Sequence, residues 1–208
     1  MSASAWPWLL DAPLLLASGS ATRAHMLEAV GLPIETRKPS TDERVIEAPL
    51  IAAGLGPADR ALALARAKAL SVSQDHPDRL VLGADQTLAA AGHPGVKARD
   101  RAEATAFLKG LCGAEHALHS AAVVARDGIA VFACVDSARL VMRQVSDGFI
   151  ETYLDHVGDE SMSSVGGYRI EGLGAQFFAH VSGEHNVILG LPLFPVLSFL
   201  RRIGALAS

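Results

Sequence analysis

Asp85 closes the apolar run Leu80-Val81-Leu82-Gly83-Ala84. A carboxylate where a buried strand ends, with glycine close by, can hold a divalent cation or take a proton from water. The same residue can equally cap a turn. A second apolar run, Leu14-Leu15-Leu16-Ala17, leads into Ser18-Gly19-Ser20 and then Arg23. A strand, a small-residue turn and a helix start bring together hydroxyls and the unpaired amides of a first helical turn. That arrangement suits phosphate, and Arg23 would add a charge-assisted contact. An ordinary capped helix with a surface arginine fits the same residues.

Three further groups carry charge. Asp42-Glu43 could supply a second carboxylate for a metal, or be simply solvated. Lys68, in an Ala/Leu-rich segment, and Lys97, just past a Gly-His-Pro-Gly turn at 92–95, are point charges of the kind that hold phosphates. Each could as well be a solvated lysine. The stretch 167–174, Gly-Tyr-Arg-Ile-Glu-Gly-Leu-Gly, suggests close backbone approach to something. If it is extended, Arg169 and Glu171 project to one side, and Glu171 could accept hydrogen bonds from a base edge. An irregular turn with an exposed ion pair is the other reading. A serine-hydrolase chemistry finds no G-x-S-x-G elbow, and neither Cys112 nor Cys134 sits beside an evident base.

These residues need elements to hold them. The run at 14–17 reads as a buried strand, followed by a helix over 21–30 with Ser20 as N-cap and Gly31 just past its end. A strand is expected over 33–38. The Pro/Gly-punctuated 39–57 reads as a long loop beside a cleft. A helix follows over 58–71, then a strand over 80–84 with Asp85 at its C-terminal end, where function usually sits in an α/β sheet. Asp100 and Glu103 begin a helix reaching about 111, and Asp127-Gly128 marks a hairpin. A helix over 146–157 carries the stripe Phe149, Ile150, Tyr153, Leu154 and Val157. A strand over 176–181 and a helix over 192–203 complete an interleaved α/β or α+β pattern.

Half of the 208 residues are hydrophobic and 19% are charged, enough to bury a core. One domain, 1–208, is expected. The two cysteines, 22 positions apart, read as reduced thiols in a cytoplasmic protein. No stretch reaches the ~20 apolar residues of a membrane span. With a net charge of −4, the chain is not expected to bind nucleic acid, and any bound phosphate must meet a local basic cluster, a metal ion or both.

Taken in order, the segments resemble the Maf family of nucleotide pyrophosphatases, once described as septum-formation inhibitors. The likeness runs through L-L-L-A-S-G-S-A-T-R at 14–23, T-D-E at 41–43, A-R-A-K-A at 65–69, V-L-G-A-D-Q-T at 81–87, V-K at 96–97, G-Y-R-I-E-G-L-G-A at 167–175 and L-G-L-P-L at 189–193. It implies an α/β fold like that of Maf proteins and inosine triphosphatases: a mixed, elongated sheet with flanking helices, a cleft between two lobes, and a homodimer. It implies hydrolysis of a nucleoside triphosphate to monophosphate and pyrophosphate, with Asp85 as proton acceptor. Ser18, Ser20, Arg23, Lys68 and Lys97 would hold the phosphates. Glu43 and Asp85 would hold Mg²⁺ or Mn²⁺. Where the family usually has Pro after the second serine and before Arg or Trp, this chain has Ala21-Thr22, and Ala98 replaces a proline after Lys97. Gln86 and Glu171 resemble the branch acting on 7-methyl-GTP, whereas Thr22 stands where that branch has tryptophan. Thr22, Gln86 and Glu171 are therefore the expected selectivity positions. A non-catalytic nucleotide-binding regulator of cell division is the alternative.

Overall fold

A computed structural model describes residues 6–92 and 95–208. Six strands form one mixed sheet in the order β2-β1-β3-β4-β5-β6: β1 Leu14–Ala17, β2 Ile34–Thr36, β3 Val81–Ala89, β4 Glu115–Arg126, β5 Ile129–Met142 and β6 Phe178–Ser182. β2, β1 and β3 run parallel, while β6 pairs antiparallel with β5. The helices are α1 Ala21–Ala29, α2 Glu43–Ala52, α3 Pro57–Asp75, α4 Arg101–Leu111, α5 Asp147–Val157, α6 His185–Ile188 and α7 Leu193–Arg202. The mixed α/β architecture is the expected one. No helix among the described residues is long and apolar enough to cross a membrane.

The chain divides into two compact units, one of residues up to Gln86 with Ser120–Asp136 and Glu184–Ser208, the other of Thr87–His119 and Ser137–Gly183. In the first, strand alternation sorts side chains onto two faces. Leu14, Leu16, Leu82 and Ala84 pack with Met26 and Leu27 of α1 and Val196 and Leu200 of α7. Leu15, Ala17 and Val81 face the other way, against Val72 of α3. On that same side Ala61, Ala65 and Ala69 lie on Ala121, Val123 and Ala125 of β4. The buried positions of α3 are Ala61, Leu64, Ala65, Lys68, Ala69, Val72 and Ser73, one stripe at helical spacing, so Lys68 sits in an otherwise apolar face. In the second unit, Phe177 meets Phe149 and Tyr153 edge-on at 5.2 and 4.8 Å, and buried His116 shares a 2.7 Å hydrogen bond with the Tyr168 hydroxyl.

Several local expectations hold. Ser20 caps α1 by accepting from the Arg23 amide, and Gly31 follows the helix at φ +77°. Asp100 accepts from the Glu103 amide and Glu103 from the Arg99 amide, a capping box displaced by one residue. Asp127 and Gly128 both have positive φ, as a two-residue hairpin turn requires.

Three expectations are corrected. The segment 39–57 is not a long loop: α2 occupies Glu43–Ala52 despite Pro49 inside it. Asp42 starts it by accepting from the Arg44 amide, and the Glu47–Arg60 ion pair ties it to α3. β3 does not end before Asp85 but continues to Ala89. It outruns β1, whose Ala17 pairs with Gly83, so Asp85 lies just beyond the parallel neighbour's last residue. The strand expected from Gln176 begins at Phe178, because Leu173–Phe177 is a 3₁₀ turn. Of the expected turn at 92–95, His93 and Pro94 lie outside the described residues.

Candidate active site

Asp85 points to the face of β3 that carries α3, two residues after Gly83 on the same face. At Gly83 the two backbones nearly touch: a Cβ there would lie 2.3 Å from the Ala65 carbonyl oxygen and 2.6 Å from the Ala69 nitrogen. This approach sets Lys68 over the strand. Its Nζ donates to Asp85 Oδ1 at 2.5 Å and to Glu43 Oε1 at 2.7 Å. Lys68 and Asp85 are both buried, whereas Glu43, at the first position of α2, keeps 57% of its side chain exposed. Asp85 Oδ2 makes no hydrogen bond among the described residues.

Burial pushes the Asp85 carboxyl above the ordinary range, opposed by the charges of Lys68 and Arg23. Desolvation likewise lowers Arg23 from its usual value, with Asp85 and Glu43 holding it up. The result is a balanced set of two cations and two carboxylates, with Asp85 Oδ2 and Glu43 Oε2 making no hydrogen bond among the described residues.

The serine turn stands at the end of β1. Buried Ser18 accepts at Oγ from the Ser20 amide and from Arg23 Nη1, both at 3.2 Å. Its own hydroxyl hydrogen remains to be donated. The Arg23 guanidinium also donates to Ala84 O at 2.9 Å and, through Nε, to Gly190 O at 2.8 Å. Arg23 therefore links the end of β1 and the middle of β3 to the turn after α6, and Nη2 is the guanidinium nitrogen left without a hydrogen bond among the described residues. The first-turn amides of Ala21 and Thr22 have no helical acceptor, because the chain precedes them by too few residues. Thr22 is half-buried beside them.

Gln86, next along β3, faces the opposite side of the sheet from Asp85. Its Nε2 donates toward Ser120 Oγ, Val187 O and Ile188 O at 3.1, 3.0 and 2.9 Å. The structure thus brings together Ser18, Ser20, Arg23, Glu43, Lys68 and Asp85 in the first unit. Lys97 and Glu171 belong to the second. Lys97 is exposed in the irregular segment before α4. Glu171 accepts from Arg169 Nε at 3.1 Å within a turn in which the Gly172 amide bonds Arg169 O, and Arg169 also pairs with Glu160. The turn with an ion pair, rather than the extended form, is what these residues adopt.

Gly190 and Ser120 were not singled out by sequence reasoning. Gly190 has φ +101° and its Cβ position is 3.3 Å from Arg23 Nη2, so glycine there allows both the turn and the guanidinium. The Gly-Leu-Pro at 190–192 was the available signal.

Among the described residues no three His, Cys, Asp or Glu side chains cluster as a metal cage. Two carboxylates, each with one oxygen that makes no hydrogen bond among the described residues, do fit Mg²⁺ or Mn²⁺, which are commonly held by one or two carboxylates, waters and substrate phosphates rather than by an all-protein cage.

The family model described as Maf-like protein matches residues 13–203. A nucleoside triphosphate pyrophosphatase of Rhodopseudomonas palustris (strain BisB18) is 49% identical over 96% of this chain and 98% of its own length. A 7-methyl-GTP pyrophosphatase of Rhizobium meliloti (strain 1021) is 45% identical over 93% and 97% respectively. With a family model spanning nearly all of the sequence and relatives this similar along their whole length, the chain belongs to the Maf-like protein family.

Proposed function

We propose that this protein hydrolyses a nucleoside triphosphate to the monophosphate and pyrophosphate, with the whole chain, 1–208, acting as one catalytic domain. The observation that carries this reading is the buried Asp85 held by Lys68 at 2.5 Å, with one carboxylate oxygen uncommitted. The names of the relatives from R. palustris and R. meliloti support it.

In this reading Asp85 Oδ2 accepts a proton from water as the water oxygen attacks the α-phosphorus. The bond from that phosphorus to the bridging oxygen breaks, and pyrophosphate leaves with the electron pair. Desolvation makes Asp85 a stronger base than a solvated carboxylate, and the charge of Lys68 opposes that rise. The Ser18 hydroxyl, the Ser20 turn, the first amides of α1 and Arg23 seat phosphate oxygens. Lys68 adds charge where it develops in the transition state, and Lys97 is assigned to the same phosphates.

Arg23 and Lys68 are already matched by Asp85 and Glu43, so most of the negative charge a triphosphate brings has no cation beside it in this set. Mg²⁺ or Mn²⁺ is therefore assigned to Asp85 and Glu43, where it would supply positive charge to the phosphate oxygens. Base choice is assigned to Thr22 and Glu171, among substrates that include 7-methyl-GTP and pyrimidine triphosphates. A cytoplasmic homodimer is the proposed working form. The test is a panel of canonical and modified triphosphates with pyrophosphate detection: turnover with pyrophosphate as first product is expected, and an inert protein would leave the regulator reading in its place.

A further inference from the structure

We propose that Gln86 is a positioning residue for the phosphate end of the site, acting through Arg23 rather than on the nucleobase. The inference rests on the assignment of Ser18, Ser20 and Arg23 to phosphate. Three contacts carry it. The Gln86 amide nitrogen has two hydrogens and faces three acceptors: Ser120 Oγ, Val187 O and Ile188 O. Ser120 Oγ in turn donates to Val187 O at 2.7 Å and is fully buried. The two side chains therefore tie the last carbonyls of α6 to β3 and β4. α6 is only four residues long and has no side-chain cap, so it has little rigidity of its own.

The consequence falls two residues later. The chain turns back at Leu189-Gly190, with the Gly190 amide bonded to Val187 O and the Leu191 amide to Asn186 O. Gly190 O is the acceptor for Arg23 Nε at 2.8 Å. The carbonyls that Gln86 grips thus fix the turn that aims the guanidinium. From there Arg23 reaches Ser18 Oγ and Ala84 O, the strand residue that lies two before Gln86 and on the same face of the sheet. The circuit from β3 through α6 to Arg23 and back to β3 is closed, and every link in it is a hydrogen bond. The N–H donors of Gln86 are committed to backbone and serine oxygens, so it has none left to offer a nucleobase.

The test is a double-mutant cycle of Gln86→Met and Arg23→Lys across a panel of purine and pyrimidine triphosphates. Methionine keeps the length and removes the donors. Gln86→Met should raise KM about tenfold, by the same factor whatever the base, as expected for loss of a buried hydrogen-bonded clamp. In the Arg23→Lys background the same substitution should cost less than about threefold more, because its effect is already spent. Ser120→Ala, which removes one member of the clamp, should show the same pattern more weakly and serves if Gln86→Met folds poorly. A readout independent of turnover is the ¹⁵N Nε–H resonance of Arg23, identified by its loss in Arg23→Lys. It should be sharp and slowly exchanging in the wild type and broadened in Gln86→Met. If the wild type hydrolyses no triphosphate, the functional reading fails while this resonance still decides the structural link. A changed ranking of bases, full additivity with Arg23→Lys, or an unaltered Arg23 resonance would each overturn the proposal.

Discussion

Gly83 lies directly under the Ala65 carbonyl of α3, with no room between strand and helix for a side-chain carbon. Lys68 is three residues further along the helix and Asp85 two further along the strand, so this contact sets the distance of the Lys68–Asp85 pair. Gly83→Ala should force α3 away from β3. Overpacking against backbone typically costs about 1–3 kcal/mol, and kcat/KM should fall in addition as the pair separates. Thermal unfolding and steady-state kinetics check this together. A Gly83→Ala protein with wild-type Tm and wild-type kcat/KM would show that the close approach does not set the pair.

Asp85 should make the folded protein less stable as pH rises. Burial holds its carboxyl above the ordinary value, against Lys68 and Arg23, with Glu43 adding to the rise. Below both the unfolded and the folded pKa the group is protonated in both states and contributes no difference. As pH climbs through that window the unfolded chain loses its proton first, so unfolding is favoured. Asp85→Asn removes this effect. Measured in chelator from about pH 4 upward, the Tm of Asp85→Asn relative to wild type should grow with pH. A Tm difference that shrinks as pH rises would mean that the pairs outweigh burial.

Much of this was legible in the sequence. A continuous apolar run, a capping serine, a helical apolar stripe and an Asp-Gly pair locate β1, α1, α5 and the hairpin, because those signals are local. The Ser18, Ser20, Arg23, Lys68 and Asp85 set was legible as types in order, and the structure adds that Lys68 bonds both Asp85 and Glu43. α2 was missed because Pro49 reads as a breaker, although a proline inside a peripheral helix is tolerated when the start is well capped by Asp42. The 187–190 turn was missed for a different reason. Its importance lies in backbone carbonyls, which carry no residue identity, and in a pairing between Arg23 and Gly190 separated by 167 positions.

Thr22 stands in the first turn of α1, beside the amides assigned above to phosphate. A methylated, cationic guanine stacks well on an aromatic face, worth about 0.5–2 kcal/mol. Thr22→Trp should therefore raise kcat/KM for 7-methyl-GTP relative to UTP by roughly 2- to 30-fold. Competition assays with the two substrates give the ratio directly. No change in it would remove Thr22 from the selectivity set.

Glu171 is ion-paired with Arg169. An ionised glutamate can only accept hydrogen bonds, whereas glutamine also donates. Glu171→Gln should change which base edge is satisfied and reorder the substrate panel. If all rates scale by one factor and the order of substrates is kept, Glu171 does not read the base.

Rigorous chelation should abolish turnover and Mg²⁺ or Mn²⁺ should restore it, because Arg23 and Lys68 are already balanced by Asp85 and Glu43. Glu43→Gln should raise the metal concentration needed for half-maximal activity, since it removes one of the two carboxylates. Full activity after chelation would exclude the assigned cation.

The most direct measurement is turnover by Asp85→Asn, with the first product identified. Asparagine keeps the shape of the side chain but cannot take the proton from water, and loss of a general base typically lowers kcat by ~10²–10⁴-fold. The wild type should release pyrophosphate and monophosphate in equal amounts, and Asp85→Asn, folded normally, should release both at that reduced rate. An Asp85→Asn protein with near wild-type kcat, or a wild type that first releases orthophosphate, would contradict the account.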